Sequence, residues 1–454
     1  MTEKPVVVTG AGRSGLACAR TLAGEGHRIV LVDRSDTLAI RERTALLPRT
    51  VEVRLGGYPD DIAAEALMVC PSPGVPWNAP ELQVARDHGV PVRSEMDLVF
   101  ERCRARICGI TGTNGKTTTT ALVAAILERA GERVHLAGNI GATMLDRLDV
   151  VSDTDWVVLE LSSFQIESVS EPRCAIACVL NVTPDHLDRH GDFETYSETK
   201  RRLVRFALDD AVLGFDDPIT REMAAVTTSR VRYFGLHPGI ADGATRAGDD
   251  VVSVDAGSAA RLLPVRDIPL FGEHNLQNVL AAVAVARAAG VATSPIAGAV
   301  RDLHAVPHRL ETVRDQDGVL WVNDSKATNV ESAIAALRSF PDRTIVWIGG
   351  GKGAGTSIET LADEVTARAR HAVLNGASAG ELDDALARRG FAARTVVPSL
   401  GDAVATAAEL ARPGDVVLLA PGYKSFDQFR DFEDRGRAFG EAVRHLAARS
   451  AGKG

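Results

Sequence analysis

The sequence predicts an α/β protein of three domains, each built on a mainly parallel sheet. Its 454 residues exceed what one hydrophobic core usually supports. Short apolar runs alternate with helical patterns along the chain, and glycine-rich or charged turns follow several of these runs. We expect the three domains to span residues 1–96, 97–304 and 305–454.

The first domain begins with a strand, a glycine-rich turn and a helix. Strand Val6–Thr9 precedes the turn at 10–15, and a helical pattern runs through Leu22. A second strand, Ile29–Val32, ends at Asp33. This order is the Rossmann nucleotide fingerprint, with an acidic residue closing the second strand. These residues alone leave three alternatives open. The turn could form a nicotinamide or flavin site, form a site for another nucleotide, or serve only the tight packing of the helix against the strand.

The second domain carries a phosphate-binding loop between a strand and a long helix. Residues 109–117 read Gly-Ile-Thr-Gly-Thr-Asn-Gly-Lys-Thr. Glycines let backbone N–H groups approach phosphates, Lys116 supplies a point charge, and Thr117 offers a hydroxyl to Mg²⁺. The strict pattern would have glycine in place of Ile110, so the motif marks a narrower group than nucleotide hydrolases at large. The sequence therefore predicts a nucleoside triphosphate site.

Polar residues follow two further apolar runs of the second domain. In open α/β sheets ligands bind beyond the carboxyl ends of strands, so Glu160, directly after apolar residues 156–159, is expected near the magnesium. A helix-start carboxylate is the alternative. His186 follows run 175–182 among carboxylates and could offer a neutral nitrogen to a second metal ion. Spacing alone predicts that Lys200 is an exposed helical lysine.

The third domain places charged residues at three strand ends. His308-Arg309 precedes Asn-Asp-Ser-Lys-Ala-Thr-Asn at 323–329, and a lysine-bearing glycine loop at 349–353 follows strand 344–348. Pro-Gly-Tyr-Lys-Ser-Phe-Asp-Gln-Phe at 421–429 follows strand 416–420. This density suggests a phosphate or carboxylate clamp. We expect the three ends to converge on a cationic cleft for a small anionic substrate.

Composition excludes several other classes of protein. A formal net charge of −9 without a basic stripe argues against nucleic-acid binding. The six cysteines lack zinc-site spacing and are expected to be buried free thiols. Neither a signal peptide nor an uncharged apolar span is evident, so we expect a cytoplasmic protein without membrane insertion. Segment 235–258 is expected to form an outlying hairpin.

The ordered motifs resemble those of the Mur ligases of peptidoglycan synthesis. They comprise residues 112–117, 138–141, 160–165, 181–188, 308–309 and 323–329. The motifs at 323–329 and 425–429 resemble one branch, which adds D-glutamate to UDP-N-acetylmuramoyl-L-alanine. The resemblance implies an N-terminal Rossmann-like domain, a central phosphate-loop ATPase-like domain and a C-terminal Rossmann-like domain. It also implies an ATP-dependent, monomeric amide-bond ligase that acts through an acyl phosphate.

The resemblance further implies site residues and cofactors. The catalytic residues would be Lys116, Glu160, His186 and Lys200. ATP would contact Gly112, Thr113, Asn114, Gly115, Lys116, Thr117, Thr118, Asn275, Arg309 and Asp324. Two Mg²⁺ ions would bind Thr117, Glu160, His186 and a carbamylated Lys200, whose amine must then have a lowered pKa. The UDP-sugar and D-glutamate would contact Arg13, Ser14, Asp33, Arg34, Ser72, Gly74, Asn139, Ser162, His186, Lys326, Thr328, Lys352, Ser425 and Phe432.

Some features depart from the family pattern. The loop before Lys352 lacks an aspartate often found there, and Pro-Gly-Tyr-Lys at 421–424 replaces a common Pro-Ala-Cys-Ala. The spacing from His186 to Lys200 is one residue shorter than in some relatives. Tyr423 and Lys424 could therefore alter the glutamate pocket. An oxidoreductase and a non-catalytic nucleotide-binding regulator are the competing hypotheses.

Overall fold

The computed structural model describes residues 4–58, 62–139, 141, 143–303, 307–353 and 358–450. These form two compact units, here called unit 1 (residues 1–265 and 277–301) and unit 2 (residues 266–276 and 302–454). Unit 1 contains two sheets and unit 2 contains one. The predicted domain boundaries stay a prediction, and residue 304 lies outside the described residues.

The first sheet of unit 1 is parallel, with the order β3-β2-β1-β4. Its strands are β1 (Val6–Thr9), β2 (Ile29–Asp33), β3 (Val51–Leu55) and β4 (Met68–Pro71). The accompanying helices are α1 (Arg13–Gly24), α2 (Leu38–Thr44), α3 (Pro80–Asp87) and α4 (Glu95–Arg102). The strand and helix predicted at the start of the chain are confirmed, since β1 is wholly buried and α1 follows it. The helix begins at Arg13, so the turn is shorter than the predicted 10–15.

The second sheet of unit 1 has nine strands in the order β13-β12-β11-β10-β9-β8-β5-β7-β6. They are β5 (Arg106–Thr111), β6 (Val134–Gly138), β7 (Trp156–Glu160), β8 (Cys174–Val179), β9 (Ala207–Gly214), β10 (Arg230–Gly235), β11 (Gly243–Ala247), β12 (Asp250–Asp255) and β13 (Ser258–Pro264). Its helices are α5 (Lys116–Arg129), α6 (Ser163–Glu167), α7 (Leu187–His190), α8 (Phe193–Arg205), α9 (Pro218–Glu222) and α11 (Thr293–Arg301). Helix α10 (Glu273–Ala288) begins in the residues of unit 2 and continues in those of unit 1.

Strands β7 and β8 are wholly buried and pair in parallel with β5, as their uninterrupted apolar runs predict. The expectation for segment 235–258 needs correction. An antiparallel hairpin is present, but β11 pairs with β10, so the hairpin extends the sheet instead of lying apart. One buried apolar cluster contains side chains from both sheets, including Val6, Leu31, Ile107 and Leu159, which accounts for their grouping in one unit.

The sheet of unit 2 has the order β14-β15-β19-β16-β17-β18, in which only β14 is antiparallel. Its strands are β14 (Glu311–Gln316), β15 (Val319–Asn323), β16 (Ile345–Gly349), β17 (Ala369–Leu374), β18 (Arg394–Val396) and β19 (Val416–Leu419). Its helices are α12 (Val330–Leu337), α13 (Ile358–Arg368), α14 (Ala379–Arg388), α15 (Leu400–Leu410) and α16 (Phe432–Ser450). Apolar side chains cover both faces of this sheet.

All six cysteines are free thiols, and five of them are buried, as expected; Cys103 is half-buried. None of the described helices combines the length and apolar character needed to cross a bilayer.

Candidate active site

The phosphate loop connects β5 to α5. Gly115 has φ +84°, and a Cβ at that position would collide with Asn278 Oδ1, so the position requires glycine. Lys116 Nζ donates to the carbonyl oxygens of Gly112 at 2.9 Å and Thr113 at 2.8 Å. Thr117 lies in the first turn of α5, where backbone N–H groups point outward. The loop thus presents N–H donors and an ammonium group at one helix N-terminus.

Glu160 closes β7, in register with Ile110 on the strand that leads into the phosphate loop. The side chain is 2% exposed. Its Oε1 atom accepts a hydrogen bond from Asn139 Nδ2 at 3.0 Å, whereas Oε2 is buried without a hydrogen-bond partner among the described residues. A buried carboxylate oxygen left without a partner is costly. A cation would satisfy it.

Lys200 is 1% exposed, so the prediction of an exposed lysine from spacing alone is wrong. Its Nζ atom donates to the Gly112 carbonyl oxygen at 3.0 Å and lies 4.6 Å from the centre of the Tyr196 ring. Burial, helped by the positive charge of Lys116, lowers the pKa of Lys200 to about 7. The lowered pKa that the family resemblance implies is confirmed. A substantial fraction of this amine is therefore neutral near pH 7.

His186 caps α7 in the left-handed conformation, with φ +52°. Its ring is half exposed and lies 3.5 Å from Asp185 Oδ2 and 5.0 Å from the ring of Phe164. Left-handed backbone in a residue other than glycine is strained, and such strain persists where surrounding contacts impose it. Asp185 and Phe164 are the side chains that lie beside this half-exposed ring.

Hydrogen bonds with the polar side chains of Asp33 and Ser72 stabilise the turn after β1. Both residues also line the cleft described in the next paragraph. Asp33 accepts hydrogen bonds from Ala11 N at 2.7 Å and Ser35 N at 2.8 Å. Ser72 Oγ donates to the Gly10 carbonyl oxygen at 2.8 Å. A hydrogen bond from Ser14 partly offsets the burial that raises the pKa of Glu95.

A cleft of about 670 Å³ in unit 1 contains residues from both of its sheets. It brings together most of the residues predicted for the UDP-sugar and for catalysis. They are Arg13, Ser14, Asp33, Arg34, Ser72, Gly74, Lys116, Asn139, Ser162, His186 and Lys200. Such a volume suits a small-molecule ligand. Ile140, part of the motif at 138–141, lies outside the described residues.

Three aromatic or acidic residues of this cleft escaped sequence reasoning. Tyr58 lies under the Arg34 guanidinium, 5.3 Å from it, and Glu81 accepts a hydrogen bond from Arg34 at 2.9 Å. No pattern in the sequence marks either residue. Tyr196, whose hydroxyl lies 3.1 Å from Thr113 Oγ1, precedes Lys200 by one helical turn, and that spacing was the available signal.

In unit 2 the neighbouring parallel strands β15, β19 and β16 end at the same edge of the sheet. The three strand ends are therefore adjacent, as expected, whereas the cationic cleft for a small anionic substrate stays a prediction. Lys326 Nζ lies 3.8 Å from the centre of the Phe432 ring, and Ser425 is 2% exposed. Lys352 is exposed, and Thr328 is half-buried.

Two buried charged groups lie behind these loops. Arg435, which sequence reasoning missed, donates to Ser325 Oγ at 3.0 Å, to the Ser325 carbonyl oxygen at 2.9 Å and to the Tyr423 carbonyl oxygen at 3.0 Å. Burial raises the pKa of Asp324 to about 7, although Arg309 and Arg435 oppose the shift. Asn275, also predicted to bind ATP, is buried and donates to the Phe271 carbonyl oxygen at 2.8 Å.

Comparison with known proteins identifies the family. The Mur ligase MurD-like N-terminal domain matches residues 4–94, the Mur ligase middle domain residues 110–286, and the Mur ligase glutamate ligase domain residues 308–422. The chain therefore belongs to the Mur ligase family.

Full-length relatives carry one name within that family. The chain is 40% identical to the UDP-N-acetylmuramoylalanine--D-glutamate ligase of Pelotomaculum thermopropionicum, with 98% of both chains covered. It is 41% identical to the enzyme of the same name in Acidobacterium capsulatum, with 99% and 97% covered. Among solved structures, the UDP-N-acetylmuramate-alanine ligase of Thermotoga maritima matches with a TM-score of 0.59 and 20% identity, covering 98% of this chain and 100% of the other. That likeness shows the shared three-domain fold.

Proposed function

We propose that the protein is an ATP-dependent ligase that joins D-glutamate to UDP-N-acetylmuramoyl-L-alanine, in cytoplasmic peptidoglycan precursor synthesis. One observation carries this proposal: the phosphate-loop lysine, Lys116, lines the same cleft as the buried, low-pKa amine of Lys200. The names of the full-length relatives support the choice of substrates.

The reaction proceeds in two steps. The L-alanyl carboxylate attacks the γ-phosphorus of ATP, the bond to the β,γ-bridging oxygen breaks, and ADP leaves. The product is an acyl phosphate. The amine of D-glutamate then attacks the acyl carbon, and the tetrahedral intermediate loses a proton and inorganic phosphate to give the amide. Lys116 and the N–H groups of the loop stabilise negative charge on the phosphates during the first step.

The residues present fit two magnesium ions. The unpartnered Oε2 atom of Glu160 and the hydroxyl of Thr117 are oxygen donors of the kind that Mg²⁺ prefers. His186 and a carbamate on Lys200 would hold the second ion. Bound magnesium would neutralise charge that otherwise keeps the two anionic reactants apart. The described residues hold no group of three or more His, Cys, Asp or Glu side chains suited to a metal, so the proposed set needs the carbamate oxygens.

Carbamylation of Lys200 requires a neutral amine. The nitrogen lone pair attacks CO₂, an N–C bond forms, and one amine proton leaves to solvent. The pKa of about 7 supplies the neutral amine near physiological pH. Burial also protects the product from water. Carbamylation places an anion beside the ammonium group of Lys116, and this attraction favours the modified form.

The remaining predicted residues bind the substrates. We assign the UDP-sugar to residues 1–96 with some residues of 97–304, ATP to residues 97–304 with some residues of 305–454, and D-glutamate to residues 305–454. The UDP-sugar would contact Arg13, Ser14, Asp33, Arg34, Ser72, Gly74, Asn139, Ser162 and His186. ATP would also contact Gly112, Thr113, Asn114, Gly115, Thr118, Asn275, Arg309 and Asp324. D-Glutamate would contact Lys326, Thr328, Lys352, Ser425 and Phe432.

The test is a reconstituted assay of phosphate release and of product mass. Phosphate release is expected only when ATP, magnesium, UDP-N-acetylmuramoyl-L-alanine and D-glutamate are all present. L-Glutamate should give almost no product. A nicotinamide absorbance change without phosphate release would favour an oxidoreductase, and nucleotide binding without turnover would favour a regulator. Either result would contradict the ligase.

A further inference from the structure

The chain uses lysine sparingly. Seven of its 51 basic residues are lysines, and the other 44 are arginines. Lys4 and Lys453 lie near the two ends of the sequence. The interior lysines are Lys116, Lys200, Lys326, Lys352 and Lys424. The first four of these have roles in the proposed function, so Lys424 is the only interior lysine without one.

Lysine and arginine are not interchangeable. The ammonium group is a compact point charge on a flexible stem, whereas the planar guanidinium suits ion pairs with protein carboxylates. Arginine serves the surface ion pairs of unit 2, as in Arg388 with Glu359 at 2.8 Å and Arg430 with Asp434 at 3.2 Å. A lysine at 424 therefore does not follow the surface pattern of this chain. It has the residue type of the positions at which this chain is proposed to bind substrates.

Lys424 is paired with a proposed substrate-binding residue. Lys352 and Lys424 are direct partners in an antiparallel bridge, and Lys352 N donates to the Lys424 carbonyl oxygen at 2.8 Å. Directly opposed residues of an antiparallel pair have side chains on the same face, with Cβ atoms about 4.5–5.5 Å apart. Both side chains are exposed. The two ammonium groups thus share one face at the edge of the sheet.

Nothing in the described part of the chain neutralises this pair. Across those residues, no carboxylate oxygen lies within 4.0 Å of either ammonium nitrogen. Like charges directly opposite each other are destabilising. An anion bound between them would remove the repulsion and gain two charge-assisted hydrogen bonds.

The backbone at Lys424 is fixed from both sides. Arg435 donates to the preceding carbonyl oxygen of Tyr423 at 3.0 Å, and the Lys352 amide donates to the carbonyl oxygen of Lys424 itself. The ring of Tyr423 is packed in the core with 3% of its surface exposed. The backbone that carries the Lys424 side chain is therefore fixed by contacts within unit 2, which lowers the entropy cost of binding.

We propose that Lys424 is a specificity-determining residue that binds the side-chain carboxylate of the acceptor amino acid together with Lys352. This inference rests on the proposed function, in which Lys352 contacts D-glutamate. All amino acids share the amine and the adjoining carboxylate of the acceptor. A residue that selects D-glutamate among them must therefore contact its side-chain carboxylate.

The experiment uses the full-length enzyme with three substitutions. Lys424→Met keeps the stem and removes the charge, Lys424→Arg keeps the charge, and Lys4→Met is the matched control at an exposed lysine. In Lys424→Met the KM for D-glutamate should rise about 10- to 100-fold, as for a lost hydrogen bond between charged groups, with kcat changed less than about twofold. The KM values for ATP and the UDP-sugar should not change. Lys424→Arg should recover most of the loss, and Lys4→Met should match the wild type.

D-Glutamine separates charge recognition from a structural effect. It is assayed both as an acceptor and as a competitor of D-glutamate, because its side chain has the same shape without the charge. Lys424→Met should leave its kcat/KM or its inhibition constant unchanged. An equal loss for both acceptors, or an unchanged KM for D-glutamate, would overturn the role of Lys424 alone. A wild-type enzyme that forms no amide from D-glutamate would overturn the proposed function and this inference with it.

Discussion

Unit 1 and unit 2 hold their charged side chains in different ways. In unit 1 the groups proposed to do chemistry are buried: Lys200 is 1% exposed and Glu160 is 2% exposed. In unit 2 the proposed acceptor-binding lysine Lys352 is exposed on a loop, and the buried charges, Arg435 and Asp324, lie behind the loops. Burial strengthens electrostatic interactions and shifts pKa values. An exposed ammonium group, such as that of Lys352, can instead bind and release the amino-acid substrate rapidly.

This contrast predicts two kinds of kinetic effect. Substitutions of the buried groups in unit 1 should lower kcat, because they act on the transition state. Substitutions in the loop site of unit 2 should mainly raise the KM for the amino acid. If substitutions in both units changed kcat and the KM for the amino acid alike, the two units would not differ in the way proposed.

The largest effect is expected from Lys200→Met, which fills the same space without an amine. We expect kcat to fall about 10²- to 10³-fold, since the carbamate that would hold the second magnesium ion is lost. Added formate or acetate should restore part of the activity by replacing the carbamate. The measurement is the steady-state kcat of the variant with and without added formate or acetate.

Stability provides the control for this variant. The pKa of Lys200 in the folded protein, about 7, lies below its ordinary value of 10.5. Between these values the unfolded chain binds a proton that the folded chain does not, so the wild type loses stability as the pH falls from 10.5 to 7. Lys200→Met lacks this penalty and should melt no lower than the wild type at pH 7.5 in CO₂-free buffer.

Arg205→Met, on the same helix but exposed, should keep full activity. Full activity in Lys200→Met itself would refute the carbamate.

An intermediate effect is expected from Arg435→Met. Loss of the hydrogen bonds to Ser325 and Tyr423 should loosen the two strand-end loops of unit 2. We expect the KM for D-glutamate to rise about tenfold and stability to fall by about 1–3 kcal/mol, because buried carbonyl groups lose their donors. Kinetics and calorimetry measure the two quantities.

The matched control is Arg437→Met, which removes an exposed arginine of the same helix. It should change neither quantity measurably, as is usual for a surface ion pair. A KM for D-glutamate that stays at the wild-type value in Arg435→Met would show that the loops do not depend on this tether.

The smallest effect is expected from Asp324→Asn and depends on pH. The pKa of Asp324 in the folded protein, about 7, lies above its ordinary value of 3.8. The folded state therefore holds an extra proton between these values, and the stability this proton provides is lost as the pH rises through 7. The variant should melt about 4 °C or more above the wild type at pH 8, by less at pH 5, and should equal it only near pH 4, where the unfolded chain also holds the proton. A difference as large at pH 4 as at pH 8 would contradict a raised pKa for this carboxyl group.

Much of this fold could be predicted from local sequence. Uninterrupted apolar runs identified β7 and β8, and the glycine turn located the start of α1. The phosphate loop was recognisable because its chemistry requires glycines and a lysine within nine consecutive residues. These features depend on neighbours in the chain, so a single sequence reveals them.

The candidate site was less predictable where it depends on distant contacts. Spacing alone failed for Lys200 because its burial comes from strand β5 and the phosphate loop, about 90 residues away, as the contact with Gly112 shows. Arg435 contacts Ser325 across 110 residues. No local pattern encodes such pairings. The family resemblance supplied the role of Lys200, whereas nothing in the sequence suggested Arg435.

The central claim is that an anionic carboxylate is phosphorylated before the amine attacks. UDP-N-acetylmuramoyl-L-alanine labelled with ¹⁸O in its alanyl carboxylate tests this claim directly, with mass spectrometry of the inorganic phosphate released in a complete reaction with D-glutamate. We predict that each phosphate formed from fully labelled substrate carries one ¹⁸O atom. Phosphate without the label would contradict the acyl phosphate and the mechanism built on it.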